Sequence, residues 1–327
     1  MKSFSTFIRE QFLILDEEAD ANASNSAMGD AYEAGTALHI HNATASKSNP
    51  DKTYQSKITA LKKKHKEALS KLSPEKQTDI AKKSKDSASA YLKSLHTDEG
   101  ISPEHVHEVH HTSQGISQHI GRDVSRAANP HDILIKGKKN KKSFEHGASL
   151  KATSGTASNN PAASFERQSA EHGMSTGTTA QWAKGKKKAG LVGKTTKDIK
   201  AVRKDETIIG HNRTAQYASA KQHVESFNNA SHEEKQTHIK HFLKANPDLP
   251  YHYVVGEKGG KSTPIQNHPA VVAINKSKTI TATAKNGNVH FHNEKGEHIA
   301  TAEHRTTHGA FSSPQVNFKF GTVKAKQ

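Results

Sequence analysis

The chain has 327 residues, 48 of them Lys or Arg against 32 Asp or Glu, for a formal net charge of +16 and an isoelectric point near 9.7. That balance points to a polyanionic partner, nucleic acid before an anionic membrane. There is no cysteine, which excludes disulfides, thiolate zinc sites and cysteine nucleophiles. Leu, Ile, Val and Phe make up about 17% of the residues, below the roughly 20% of ordinary globular chains, so much extended surface is expected. No run of about 20 apolar residues offers a transmembrane helix, and the opening lacks the apolar stretch and cleavage site of a secretory signal. A cytoplasmic location without a membrane partner is the expectation.

Residues 2–15 place Phe4, Phe7, Ile8, Phe12 and Leu15 on one helical face. An acidic, Ala/Asn/Ser-rich linker to residue 26 would tether this helix as a docking peptide for another protein. Residues 27–45 read as a helix with Met28, Tyr32, Ala34, Leu38 and Ile40 among polar positions, and with Glu33 between them. Residues 50–96 predict a basic helical hairpin, 52–71 and 74–95, the second helix opened by Ser73-Pro74-Glu75. Residues 101–128 are predicted helical from Ser102-Pro103-Glu104. They hold His107-Glu108-Val109-His110-His111, a His-Glu-x-x-His that on a helix would bind zinc with Glu108 as base. The flanks lack the further Gly and His of the metzincin pattern, so a zinc protease is the lesser reading.

The central stretch is Asn129 to Thr153. Asn129-Pro130 favours an extended start. Asp132 then leads Ile133-Leu134-Ile135, an apolar run of the length and β-branching of a buried strand. Lys136 to Lys142 reads as a polar turn with Gly137 and Asn140. A second strand, 148–152, carries Ser149 and Lys151 two apart and so on one face. An acid at the head of one strand can therefore sit beside a lysine on its neighbour.

These residues resemble the Asp…(Asp/Glu)-x-Lys core of the PD-(D/E)XK, restriction-endonuclease-like nuclease superfamily. The closer likeness is to the Pro-x-Asp-Ile-hydrophobic…Gly-x-Ser-Leu-Lys form of some restriction-type and phage nucleases. The resemblance implies an α/β domain across 27–327. It would have a mixed central sheet flanked by helices, the 50–96 hairpin inserted, and a β-rich C-terminal part. It implies DNA cleavage with Mg²⁺, or Mn²⁺ in its place. Asp132 would be the principal metal ligand, with the Leu150 carbonyl and Glu33 assisting, and Lys151 would orient the nucleophile. Ser149 departs from the pattern, standing where the family has a second carboxylate. Such chemistry needs a carboxylate to hold the metal against the phosphate and a cation to balance developing charge. The rival expectation is a non-catalytic nucleic-acid-binding or phage virion protein that keeps the nuclease fold. The opening Met-Lys-Ser-Phe-x-x-Phe-Ile also looks like the start of tailed-phage structural proteins, which adds the host cytoplasm or phage particle as a location and phage structural proteins as partners.

Past this core, 154–163 reads as a loop and 164–172 as a short helix. The basic run 184–204 reads as a flexible lysine loop for phosphate contact. Residues 206–245 predict two helices, with Ser231-x-x-Glu234 as a capping box. Tyr251–Val255 is a predicted strand. The tail predicts strands at 270–274, 279–284, 289–292, 299–305 and 316–320, with a hairpin turn at Lys285-Asn286-Gly287-Asn288. Lys138, Lys139, Lys141 and Lys142 in the central stretch, Lys186, Lys187 and Lys188 in the basic run, and Arg305 in the tail are the candidate DNA contacts.

Overall fold

A computed structural model describes residues 26–112, 117–120, 130–152, 156–202, 204–307 and 309–323. The helix expected at 2–15 and most of its linker lie outside these residues, as do Asn129 and Thr153. Among the described residues the protein is mixed α/β, with two sheets and no closed barrel. Among the described residues, no helix is long and apolar enough to cross a membrane. The sequence predicts one domain across 27–327, whereas the contacts divide the chain into two compact units. The first comprises Met1–Ser154 with Asp248–Ile265, the second Gly155–Pro247 with Gln266–Gln327.

In the first unit, helix α1 spans 26–43, followed by α2 (Lys52–Leu69) and α3 (Pro74–Glu99). Asp51 caps α2 by accepting from the Tyr54 amide at 2.7 Å. Ser73 and Pro74 start α3, and Gly100 ends it in the left-handed region. The helical hairpin is more than a solvated basic excursion. Tyr54, Ile58, Leu61, Ile80, Tyr91 and Leu95 turn inward and share one core with α1 and the sheet, while the lysines keep the outer face.

The sheet runs β1 (Val106–His111), β2 (Ile133–Lys139), β3 (Lys142–Lys151), β5 (Tyr251–Val255) and β6 (Lys261–Pro264), with only β3 and β5 parallel. The helix expected over 101–128 is corrected across 101–112, while 113–116 and 121–128 lie outside the described residues. Pro103–His105 is a 3-10 turn, Val106–His111 is a strand, and only Ser117–Ile120 (α4) is helical among the described residues. Val106 and Val109 are buried on β1, and β-branched residues favour that state. The β2–β3 connection is also tighter than expected. Gly137 lies within β2, and β3 starts at Lys142 rather than 148. The turn is Asn140-Lys141, both with positive φ (50° and 65°), as a two-residue type I′ hairpin requires. Ile133 and Ile135 enter the main core, while Leu134 packs with Leu249 and Ile120 on the other face. Burial on both faces explains the unbroken apolar run.

The second unit has an antiparallel sheet in the order β4 (Thr156–Pro161), β10 (Pro314–Phe320), β9 (His298–Thr306), β8 (Asn288–Asn293), β7 (Ile280–Lys285). Its helices are α5 (Ala162–Ala170), α6 (Thr178–Lys188), α7 (Thr196–Val202), α8 (Glu206–Asn229), α9 (His232–Phe242) and α10 (Pro269–Lys276). The Ser231 capping box and the Asn286-Gly287 hairpin form as expected. Three expectations are corrected. The loop at 154–163 contains strand β4. The lysine run is the end of α6 rather than a loop, with α7 beyond it. The strand at 270–274 is α10, opened by Pro269 and capped by His268; Ala270, Val271 and Ile274 are buried on one face. The core of this unit holds a chain of buried histidines. His304 Nδ1 lies 2.8 Å from Ser219 Oγ. His304 Nε2 is 3.1 Å from His223 Nδ1, and His223 Nε2 is 3.1 Å from His238 Nε2.

Candidate active site

Asp132 stands one residue ahead of β2, and the ladder reaches it from both sides. Its amide donates to the Ala148 carbonyl at 2.8 Å, and its own carbonyl accepts from the Thr112 amide at 3.0 Å. With the backbone fixed, the side chain turns along β3. Oδ2 accepts from the Leu150 amide at 2.6 Å and lies 4.0 Å from Lys151 Nζ. Lys151 Nζ also donates to Ser149 Oγ at 3.4 Å. The acid-and-lysine juxtaposition expected from the sequence is therefore formed, and the buried Ser149 pairs with the lysine.

Helix α1 supplies the remaining groups. Glu33 Oε2 lies 3.2 Å from His111 Nε2 at the end of β1. The Tyr32 hydroxyl donates to the Lys151 carbonyl at 3.3 Å and is 2.6 Å from Ser87 Oγ. Burial pushes the Tyr32 phenol up to about 12, against the Ser87 hydrogen bond, so it acts as a neutral donor that steadies the end of β3. Burial also pushes the Asp132 carboxyl up to about 6. Lys151 opposes that rise, the Glu33 carboxylate adds to it, and the Leu150 amide and His111 oppose it. The Glu33 carboxylate is thus close enough to act on Asp132 through its charge.

That charge state tests the fit of a divalent cation. A carboxylate whose charge burial resists, with a second carboxylate acting on it, forms a site that a cation relieves. Strand geometry adds a further oxygen. The amide and carbonyl of a strand residue face the same neighbour. Ala148 bonds toward Asp132, while Lys151 accepts from Gly256 on the other side. The Leu150 carbonyl therefore shares the Asp132 edge with its amide. All-oxygen donors of this kind suit Mg²⁺ or Mn²⁺.

The His-Glu-x-x-His reading does not survive. On β1, His107 and His111 sit about 13 Å apart at roughly 3.3 Å per residue, too far to share one ion. Glu108 instead pairs with His110 at 2.7 Å. The role of His111 beside Glu33 is not apparent while the segment is read as a helix; Val106 and Val109 are the signal for the strand. A pocket of about 480 Å³ opens beside it, lined by residues that include Lys57, Lys64, His110, His111 and His119.

Of the expected phosphate contacts, Lys138, Lys141 and Lys142 are exposed on the β2–β3 hairpin. Lys139 donates to the Glu99 carbonyl at 2.8 Å. Lys186, Lys187 and Lys188 form the last turn of α6, and Arg305 lies on β9, 3.6 Å from Glu303. These last four belong to the second unit, whereas Asp132 and Lys151 belong to the first. Compared with protein-family models, curated proteins and solved structures, the chain matches none.

Proposed function

We propose that this protein is a metal-dependent DNA endonuclease of the PD-(D/E)XK kind, its first unit carrying the restriction-endonuclease-like core. The observation that supports this reading most is Asp132 beside Lys151 at one end of the first sheet, with the Glu33 charge acting on Asp132. Asp132, Glu33 and the Leu150 carbonyl would hold Mg²⁺, which when bound supplies Lewis acidity toward the phosphate. The Leu150 amide fixes the rotamer of Asp132. Lys151 orients the attacking water and balances charge as the phosphate becomes pentacovalent. His111 orients Glu33, and Tyr32 holds the backbone of Lys151. Lys138, Lys141 and Lys142 give sequence-independent phosphate affinity, with Lys186 to Lys188 and Arg305 as further contacts. The N-terminal segment is proposed to dock a phage structural protein.

Ser149 favours a second reading, DNA binding without cleavage, because a hydroxyl is a weak metal ligand beside a carboxylate. Incubation with supercoiled and linear DNA, with Mg²⁺, Mn²⁺ or a chelator, separates the two. The endonuclease reading expects metal-dependent nicking that falls at least about 100-fold in Asp132→Ala and in Lys151→Ala. DNA retention without nicking under either metal ends that reading in favour of the second.

A further inference from the structure

His146 and His252 lie on the face of the first sheet opposite Ser149 and Lys151, since His146 alternates with them along β3 and His252 is the register partner of Ala148. Both rings are buried and meet edge to face, with centroids 4.8 Å apart. Glu99, the last residue of α3, reaches the same place. One donor atom from each of the three lies within 4.8 Å of the other two.

The surrounding hydrogen bonds set which ring nitrogen is available. The Tyr91 hydroxyl donates its single hydrogen to the Gly147 carbonyl at 3.1 Å. Toward His146 Nδ1, at 3.0 Å, it can therefore only accept. With the hydroxyl hydrogen on that carbonyl, the Nδ1 proton of His146 faces Tyr91 and Nε2 is the nitrogen that can take an ion. His252 Nδ1 is paired with Ser262 Oγ at 2.9 Å. His252 Nε2 is buried with no hydrogen-bond partner among the described residues. A buried nitrogen left unpartnered is unfavourable. A hydrogen-bond partner on the far ring nitrogen is also the usual means of orienting a metal-binding histidine.

We propose that His146, His252 and Glu99 form a binding site for a borderline divalent transition-metal ion of the zinc class, separate from the oxygen-donor site at Asp132. Two imidazoles and a carboxylate suit Zn²⁺ rather than Mg²⁺ and leave a fourth position open. Ligands at about 2.0–2.1 Å in a tetrahedron lie ~3.3 Å apart. The group therefore closes by up to ~1.5 Å on binding, a movement that the exposed Glu99 at a helix end can make. Burial, reinforced for His146 by neighbouring histidines, holds His146 down to about 3, and burial holds His252 down to about 4. Both rings are therefore neutral at neutral pH, each with one nitrogen free of a proton. The ion would fasten the end of α3 to β3 and β5, and so brace the strand that carries Lys151.

Zn²⁺ titration of the metal-stripped full chain against a chromophoric chelator tests the site. With 24 histidines in the chain, variants must show where the ion goes. One tight Zn²⁺ per chain is expected, lost in the His146→Gln/His252→Gln pair and kept in Asp132→Ala. Glu99→Gln, a surface change that leaves the fold intact, and Tyr91→Phe, which removes the acceptor for His146 together with the donor to the Gly147 carbonyl, should each weaken binding about 10–100-fold. Zn²⁺ should raise Tm in the parent chain and much less in Glu99→Gln. Absence of a tight site, or equal affinity in Glu99→Gln and the parent, overturns the proposal; if the double variant does not fold, Glu99→Gln decides alone.

Discussion

Asp132 carries a charge that its surroundings resist. Its carboxyl ionises near 6 in the folded protein and near 3.8 when unfolded, so the native state binds that proton more tightly. The stability contributed by this difference is complete below about pH 4 and is lost as the pH rises through 6. With a quarter of the side chain exposed, the ionised carboxylate costs the fold on the order of 1–3 kcal/mol at neutral pH. Asp132→Asn keeps an acceptor for the Leu150 amide and removes the charge. It should raise Tm by several degrees at about pH 7.5 and by little at about pH 4; thermal unfolding at both values checks this, and equal shifts would contradict a held-up carboxyl. The same proton competes with a cation, so Mn²⁺ affinity should fall about tenfold per pH unit below about 6, measurable by water-proton relaxation.

The elements show how far the sequence could be read and where it stopped. The β2 strand, the α2–α3 pair, the Ser231 cap and the Asn286-Gly287 turn were legible because each rests on local chemistry: an apolar run, a cap, a turn residue. Asp132 beside Lys151 was legible for the same reason, since two strands joined by a short turn must pair. The β1 strand was not. Pro103 and Glu104 give a good helix start, but Val106 and Val109 are drawn into the core between β2 and α2, and tertiary burial overrides the local signal. The Glu33–His111 contact spans 78 residues of sequence, and no local pattern encodes it. The β2–β3 turn carries one residue suited poorly to its conformation. Lys141 has a φ of 65°, which a side chain disfavours by about 1 kcal/mol. Lys141→Gly should stabilise the protein by roughly that amount in urea unfolding, and weaken DNA binding only through one lost charge. At Gly147, by contrast, an added Cβ would lie 1.5 Å from the His131 ring. Gly147→Ala should destabilise by about 1–3 kcal/mol and displace the neighbour of Asp132.

At the scale of the whole molecule, histidine replaces hydrophobic bulk in both cores. His304 is held down to about 3, and His223 and His238 well below their ordinary value, chiefly by burial; His146 and His252 behave alike. These residues stay neutral when folded and take protons near 6.5 when unfolded. Stability is therefore whole above about pH 6.5 and lost as the pH falls toward 4, by ~1.4 kcal/mol per pH unit for each histidine. Guanidinium midpoints, without added metal, should drop steeply between about pH 7 and 5, and a flat profile would contradict neutral buried rings. The net charge of +16 acts at the same scale, and DNA affinity should fall steeply with salt whichever reading of the site holds.

The second unit is entered between β3 and β5, and this route sets an order of events at the ribosome. By the time Lys151 has emerged, β1, β2 and β3 can pair, yet the parallel partner of β3 begins only at Tyr251. During the synthesis of nearly a hundred residues, β3 remains a bare edge strand, open to pairing with another nascent chain. Lys142 at its head, and the helices formed before it, are what the growing protein has to keep that edge apart.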